Sequence, residues 1–192
     1  KASAGSERLR ALGVEVYIGH DAAQVGDAEY VTRSTAIPDS NPECIRALEE
    51  GRPLLSRAQM LGAITRFRRT VAVAGTHGKT TTASMLALAL RGADLRPSFV
   101  IGGDVNEIGT GAAWDDGDLF VVEADESDGS FLELAPRLAV VTNVDPDHLE
   151  YHGSFEALRV SFDHFTGGVD GPVVNGIDDV EGAAQAERAR RA

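Results

Sequence analysis

The stretch that decides the fold is Thr70-Val71-Ala72-Val73-Ala74-Gly75-Thr76-His77-Gly78-Lys79-Thr80. It begins with β-branched and apolar residues, turns at Gly75 and Gly78, and runs into a helical stretch at Thr80–Leu90. In such a turn, backbone N–H groups and the positive end of the helix point at one place, which suits a polyphosphate. The sequence therefore predicts an α/β fold with a phosphate-binding loop.

Lys79 and Thr80 carry the chemistry expected of this loop. A lysine here reaches the β- and γ-phosphates, and a following threonine hydroxyl binds Mg²⁺. The generic loop pattern has glycine where this chain has Val73, and an ordinary turn that uses glycines for positive φ is the alternative. That alternative leaves Lys79 and the threonines at 80–82 unexplained. The predicted nucleotide-binding residues are Gly75, Thr76, His77, Gly78, Lys79, Thr80 and Thr81.

The net charge of −12 is unevenly distributed along the 192 residues. Residues 1–69 contain ten Lys or Arg and nine Asp or Glu, whereas residues 70–192 contain eight and twenty-one. An acidic second part argues against nucleic acid as a partner, because such binding needs basic patches. It accommodates a nucleotide if Mg²⁺ bridges carboxylates and phosphates. With one cysteine and no apolar run of about 18 residues, we expect a cytoplasmic protein without membrane contact.

Strands and helices alternate along the chain, which predicts a mostly parallel sheet. In residues 1–69, strands are predicted at Val14–Ile18, Tyr30–Thr32 and Pro53–Leu55, and helices at Ser6–Leu12, Pro42–Glu50 and Arg57–Phe67. In residues 70–192, strands beyond the loop are predicted at Phe99–Ile101, Leu119–Glu123, Leu138–Thr142 and Pro172–Val174, and helices at Ser154–Phe165 and Glu181–Ala192. A domain boundary is predicted after residue 69.

Two polar clusters follow buried strands, where open α/β sheets place functional groups. Glu123 ends an apolar strand and needs a partner there, so it can complete a Mg²⁺ site with Thr80. The acidic loop that follows lies at the same sheet edge and can also supply a carboxylate to the metal; for Asp125, Glu126 and Asp128 individually, a solvated turn is the alternative interpretation. In the second cluster, Asn143 can hold a phosphate or the reacting acyl group, and His148 can bind a second metal ion.

Three motifs in this order resemble those of the Mur ligases. They are Gly-Thr-His-Gly-Lys-Thr-Thr-Thr at 75–82, Glu-Ala-Asp-Glu-Ser-Asp at 123–128, and Val-Thr-Asn at 141–143 with Asp-His at 147–148. Segments at 10–13, 19–21, 34–37, 41–43 and 151–153 also resemble the family. The resemblance implies a Rossmann-like part at 1–69 that binds a UDP-sugar, followed by an ATP-binding central domain at 70–192.

The resemblance also implies roles for matching residues. It implies catalytic roles for Lys79, Asn143 and His148. It also implies that Thr80 and Glu123 bind a first Mg²⁺ ion and that His148 binds a second. In residues 1–69, Ser34, Thr35 and Arg57 match the region that contacts the sugar nucleotide, although the family commonly has serine where Thr35 stands. His77 and His152 are expected only as helpers, in loop packing and at a helix entry respectively.

The implied reaction joins L-alanine to the carboxylate of UDP-N-acetylmuramate, with ATP and Mg²⁺, through an acyl phosphate. The alternatives are a family member that attaches a tripeptide to the same sugar nucleotide, folate polyglutamation, a phosphate-loop kinase or NTPase, and an inert nucleotide-binding fragment. Ser127 and the N-terminal segments favour the first reaction over the tripeptide and folate enzymes. The resemblance places further segments before and after this chain, so we do not expect the chain alone to turn over.

Overall fold

The computed structural model describes residues 4–178 and 180–189. The chain forms two compact units, Lys1–Met60 and Leu61–Ala192. These two units are distinguished by the contacts within each of them, whereas a domain is a part of the chain that folds independently. The domain boundary after residue 69 therefore stays a prediction. None of the helices in the described ranges is long and apolar enough to cross a membrane.

Unit 1 contains a two-stranded parallel sheet and three helices. Its elements are α1 (Ala4–Ala11), a 3₁₀ turn (Ala22–Val25), β1 (Val31–Arg33), α2 (Pro42–Glu49), β2 (Leu54–Ser56) and the first turn of α3 (Arg57–Thr65). The Asn41 side chain accepts hydrogen bonds from the backbone of Glu43 and Cys44 and so caps α2. Proline at the first helical position supports the same start. The β–α–β order explains why β1 and β2 are parallel.

The predicted strand at Val14–Ile18 is wrong. These residues follow α1 without regular structure, and Val14, Tyr17 and Ile18 are about half exposed. The Val14 N–H donates to Leu9 O and closes the end of α1 instead of joining a sheet. A β-rich run becomes a strand only when a neighbouring strand pairs with it, and no strand among the described residues does so here.

Unit 2 is built around a six-stranded sheet with the order β5-β4-β6-β3-β7-β8. The strands are β3 (Arg69–Ala74), β4 (Ser98–Val105), β5 (Thr110–Ala113), β6 (Leu119–Glu123), β7 (Leu138–Val141) and β8 (Val173–Asn175). The helices are the end of α3, α4 (Lys79–Gly92), α5 (Leu149–His152), α6 (Phe155–Gly167) and α7 (Val180–Ala189), with a 3₁₀ turn at Ser130–Glu133. All strand pairs are parallel except β4 with β5. The predicted α/β class with a mostly parallel sheet is confirmed.

Helices cover both faces of this sheet, which explains the continuous apolar runs of its central strands. Val73 and Val121 pack with Ala83 and Ala87 of α4 on one face. On the other face, alternate residues of the same strands pack with α6; this cluster includes Ala72, Phe120, Val122, Phe131, Leu158, Phe162 and Phe165. Ser154 caps α6 as predicted, because its Oγ accepts from the Ala157 N–H at 3.1 Å.

The sequence did not indicate β5 or the short helix α5. Thr110-Gly111-Ala112-Ala113 has few β-branched or aromatic residues, so its strand conformation depends on pairing with β4. The predicted helix at Glu181–Ala192 corresponds to α7, which ends at Ala189, and residues 190–192 of that prediction lie outside the described ranges.

Candidate active site at the carboxyl edge of the sheet

The loop between β3 and α4 crosses the carboxyl edge of the sheet. Gly75 has a φ of 128°, and a Cβ atom at this position would collide with Thr142 Oγ1 at the end of β7. Only glycine therefore allows the loop to pass so close to β7. The first backbone N–H groups of α4, from Lys79 onward, have no hydrogen-bond partner inside their own helix. They lie at the positive end of the helix dipole.

A second set of contacts fixes the loop backbone to the segment after β7. The Asn143 side chain accepts from His77 N at 2.9 Å and donates to His77 O at 3.0 Å. Thr142 Oγ1 donates to the same carbonyl at 2.6 Å, and Thr76 Oγ1 accepts from Asp145 N at 2.9 Å. Both ends of the Asn143 amide are thus used to hold the loop, which makes the residue a structural clamp in this geometry. Its contact with a phosphate or acyl group stays a prediction.

Lys79 forms a buried ion pair with Glu126. Its Nζ lies 2.9 and 3.1 Å from the two Glu126 carboxylate oxygens, and also donates to Gly75 O at 2.8 Å and Thr76 O at 3.3 Å. The Lys79 side chain is 11% exposed and the Glu126 side chain 0%. The interpretation of Glu126 as part of a solvated turn is wrong, because its carboxylate is buried and neutralised by the loop lysine. A buried carboxylate without such a partner would be strongly unfavourable.

Glu123 and Thr80 meet at the same edge, as predicted from the order of the strands. Thr80 Oγ1 donates to Glu123 Oε1 at 2.9 Å, and the Gly102 N–H of β4 donates to Glu123 Oε2 at 2.7 Å. β4 therefore orients the carboxylate toward the start of α4. Sequence reasoning did not find Gly102, since a backbone donor leaves no signature in the residue type.

The Thr80 and Glu123 oxygens form a donor set that fits Mg²⁺. Magnesium prefers oxygen ligands and is commonly bound by one or two carboxylates together with substrate phosphates and water. Within the described residues, no group of three or more His, Cys, Asp or Glu side chains is arranged to hold a metal. With one hydroxyl and one carboxylate from the protein, the site suits an ion that a polyphosphate shares.

The side chains of His148 and His77 are 36% and 63% exposed. His148 has a φ of 53° and directly precedes α5 at its N-cap position, and its Nε2 lies 3.9 Å from Asp147 Oδ2. In the part of the chain that is described, no hydrogen bond or ion pair joins His148 to Thr80 or Glu123, so its role in a second metal site stays a prediction. His77 Nε2 lies 3.8 Å from Asp145 Oδ2, while its backbone forms the contacts with Asn143 and Thr142.

His152 has a more specific place than a helix-entry residue. It ends α5, and its Nε2 lies 2.8 Å from the Glu126 carbonyl oxygen. The Ser161 hydroxyl of α6 lies 3.4 Å from the other ring nitrogen, Nδ1. His152 thereby links α6 to the turn that carries Glu126.

The predicted substrate residues of unit 1 share one edge of its small sheet. Arg33 pairs with Ser56, so the residues that follow, Ser34 and Arg57, both leave the carboxyl ends of the parallel strands. Ser34, Thr35 and Arg57 are all exposed. Arg33 holds the turn that contains Ser34 and Thr35, because its guanidinium donates to Ile37 O at 3.1 Å and pairs with Asp39 at 2.6 Å. The hydrogen bond to Asp39 raises the pKa of Arg33.

Known protein families match both parts of the chain. Residues 73–192 match the Mur ligase middle domain, and residues 1–69 match the family described as Mur ligase family, catalytic domain. The chain belongs to the Mur ligase family.

Among curated proteins, the chain is similar to the UDP-N-acetylmuramate–L-alanine ligase of Brucella ovis. The two are 52% identical over 163 residues, which is 85% of this chain and 35% of the relative. The chain thus spans about a third of the length of the curated relatives it matches.

Two solved structures are also similar. The UDP-N-acetylmuramate:L-alanyl-gamma-D-glutamyl-meso-diaminopimelate ligase from Neisseria meningitides has a TM-score of 0.81 and 32% identity, covering 98% of this chain and 64% of that one. The UDP-N-acetylmuramate-alanine ligase from Thermotoga maritima has a TM-score of 0.79 and 30% identity, covering 94% of this chain and 42% of that one.

Proposed function

We propose that the complete gene product joins L-alanine to the carboxylate of UDP-N-acetylmuramate, using ATP, in the synthesis of a peptidoglycan precursor. The observation that carries the proposal is the meeting of Lys79, Thr80 and Glu123 at one sheet edge, in a chain 52% identical to a ligase of that name. Residues 1–69 would form part of the domain that binds the sugar nucleotide, and residues 70–192 part of the ATP-binding domain.

The proposed reaction has two steps. A muramate carboxylate oxygen attacks the γ-phosphorus of ATP, ADP leaves, and an acyl phosphate forms. The L-alanine amine then attacks the acyl carbon, and inorganic phosphate leaves with the carboxylate oxygen while the amine loses a proton. No protein nucleophile is needed, so the protein's task is to position the reactants and to stabilise charge.

Each residue of the site has a part in that task. The α4 N-terminus and the Lys79 ammonium bind the β- and γ-phosphates and stabilise the charge that develops on them. Thr80 and Glu123 would hold Mg²⁺, which would neutralise phosphate charge. Asn143 keeps the loop in register through the His77 backbone.

The main alternative is an enzyme that attaches a tripeptide to the same sugar nucleotide. It is favoured by the TM-score of 0.81 to the UDP-N-acetylmuramate:L-alanyl-gamma-D-glutamyl-meso-diaminopimelate ligase. The 52% identity to the alanine ligase and Ser127, where tripeptide enzymes typically have tyrosine, support L-alanine. The test is phosphate release by the complete gene product with Mg²⁺-ATP and UDP-N-acetylmuramate, comparing L-alanine, L-serine, glycine and the tripeptide. We expect phosphate release that needs both the sugar nucleotide and L-alanine. If, among the four amine substrates, only the tripeptide supported release, the assignment would be overturned.

A further inference from the structure

The Lys79 ammonium is fully engaged by acceptors of the protein itself. An ammonium group has three protons to donate. Four acceptors lie within 3.3 Å of Lys79 Nζ, namely Gly75 O, Thr76 O and the two carboxylate oxygens of Glu126. No proton of Lys79 is therefore left over for a phosphate oxygen, and a phosphate has to replace one of these acceptors.

Glu126 is the strongest of these acceptors. Its carboxylate is charged and completely buried, so it is cut off from water that could compensate a lost partner. A hydrogen bond between two charged groups is also roughly twice as strong as one between neutral groups. Of the four acceptors, Glu126 thus sets the free energy that a phosphate must overcome.

The position of Glu126 is fixed by its own backbone. The Glu126 carbonyl oxygen lies 2.8 Å from His152 Nε2 and accepts from Gly129 N at 3.1 Å. The turn that contains Glu126 is thereby held against α5. The Lys79 ammonium, in contrast, lies at the end of a long flexible side chain at the start of α4. Lys79 is therefore the partner that moves when the pair is exchanged.

We propose that Glu126 competes with the nucleotide for Lys79: its carboxylate accepts hydrogen bonds from the ammonium, and a nucleoside triphosphate has to take at least one of them. The inference rests on the proposed nucleotide site and adds a positioning residue to it. Glu126 would lower nucleotide affinity and, in exchange, hold the Lys79 side chain in place between turnovers.

The test measures nucleotide binding by calorimetry to the complete gene product and to its Glu126→Gln variant. Glutamine keeps the shape and an acceptor oxygen but removes the charge. We expect the variant to bind Mg²⁺-ATP about fivefold more tightly, since hydrogen bonds to charged and neutral acceptors differ by that order. Affinity for AMP, which has no β- or γ-phosphate for Lys79 to reach, should not change. A merely structural defect would weaken both ligands.

Two further variants complete the design. Glu107→Gln removes the same charge from an exposed position in the β4–β5 turn and should leave both affinities at the wild-type value. Glu126→Asp keeps the charge on a shorter side chain, so we expect tightening in the same direction but by a smaller factor. It provides the test if Glu126→Gln does not fold.

The outcomes separate the two proposals. If the unchanged protein does not bind Mg²⁺-ATP, the proposed function fails and the inference fails with it. If it binds Mg²⁺-ATP, but the Glu126 variants bind it equally well or more weakly, the inference alone is overturned.

Discussion

At the scale of single residues, the site depends on two carboxylates with different tasks. Glu123 accepts a hydrogen bond from Thr80 and is the proposed ligand of a metal ion, whereas Glu126 is buried against Lys79. The sequence predicted the first, because a carboxylate that ends a buried strand needs a partner. It could not single out the second, since nothing in the residue types of the acidic loop distinguishes Glu126 from Asp125 and Asp128. Only the folded loop shows that the Glu126 carboxylate is the buried one, paired with Lys79.

Lys79→Ala removes the cation that the account places on the β- and γ-phosphates. We expect the rate of ATP-dependent ligation to fall by about a hundredfold or more, as it does when a charge-stabilising donor is removed. The measurement is steady-state phosphate release by the complete gene product. Arg91→Ala, at the other end of the same helix, serves as the control and should retain turnover. Substantial activity in Lys79→Ala would refute the phosphate-loop assignment.

Glu123→Gln tests the metal site separately. The glutamine oxygen can still accept from the Gly102 N–H, and its amide nitrogen can donate to Thr80 Oγ1, but the side chain lacks the charge that binds a divalent cation. We expect the Mg²⁺ concentration for half-maximal rate to rise at least about tenfold. Substitution of residues that only hydrogen-bond to metal ligands already lowers metal affinity by about tenfold or more. The comparison is a magnesium titration against Glu107→Gln. An unchanged magnesium dependence would show that Glu123 is not a ligand.

At the scale of elements, the close passage of the β3–α4 loop over β7 holds the site together. The strands beneath it were predicted well, because β3, β6 and β7 are apolar runs buried on both faces. The prediction errors lie where strand pairing decides whether a segment forms a strand. Val14–Ile18 has residues that favour strands but no neighbouring strand among those described. β5 has few such residues but pairs with β4. Local sequence does not contain that information.

Gly75→Ala tests the loop geometry. Alanine would have to adopt a φ near 128° and would collide with Thr142, so we expect a loss of about 2 kcal/mol in the free energy of unfolding. Gly92→Ala is the matched control. It lies in α4, where an added Cβ would meet no neighbouring atom within 4 Å, and should stabilise by about 0.5 kcal/mol. Denaturant unfolding of both variants gives the comparison, and equal stability would contradict the described loop.

At the scale of the whole molecule, the acidity of residues 70–192 has to coexist with a polyanionic substrate. Twenty-one acidic and eight basic residues occupy this part of the chain. Lys79 neutralises one buried carboxylate, and a metal ion between Glu123 and the phosphates would offset the rest of the local repulsion. Nucleotide binding should therefore depend on the metal.

We expect Mg²⁺-ATP to stabilise the complete gene product against unfolding, by about 2.7 kcal/mol at a concentration of about one hundred times its Kd. Removal of the metal with excess EDTA should abolish most of this effect, because the acidic site then repels the free nucleotide. Thermal unfolding with and without EDTA measures it. Stabilisation that is the same in both conditions would mean that the nucleotide binds without the metal.

The central claim, that the γ-phosphate is transferred to a carboxylate, is tested most directly by isotope transfer. The complete gene product is supplied with Mg²⁺-ATP, L-alanine and UDP-N-acetylmuramate that carries ¹⁸O in its carboxylate, and the released phosphate is analysed by mass spectrometry. The account predicts one ¹⁸O atom in each phosphate, because the attacking carboxylate oxygen leaves with it. Phosphate without ¹⁸O would mean that water attacks ATP, and would contradict the ligase mechanism.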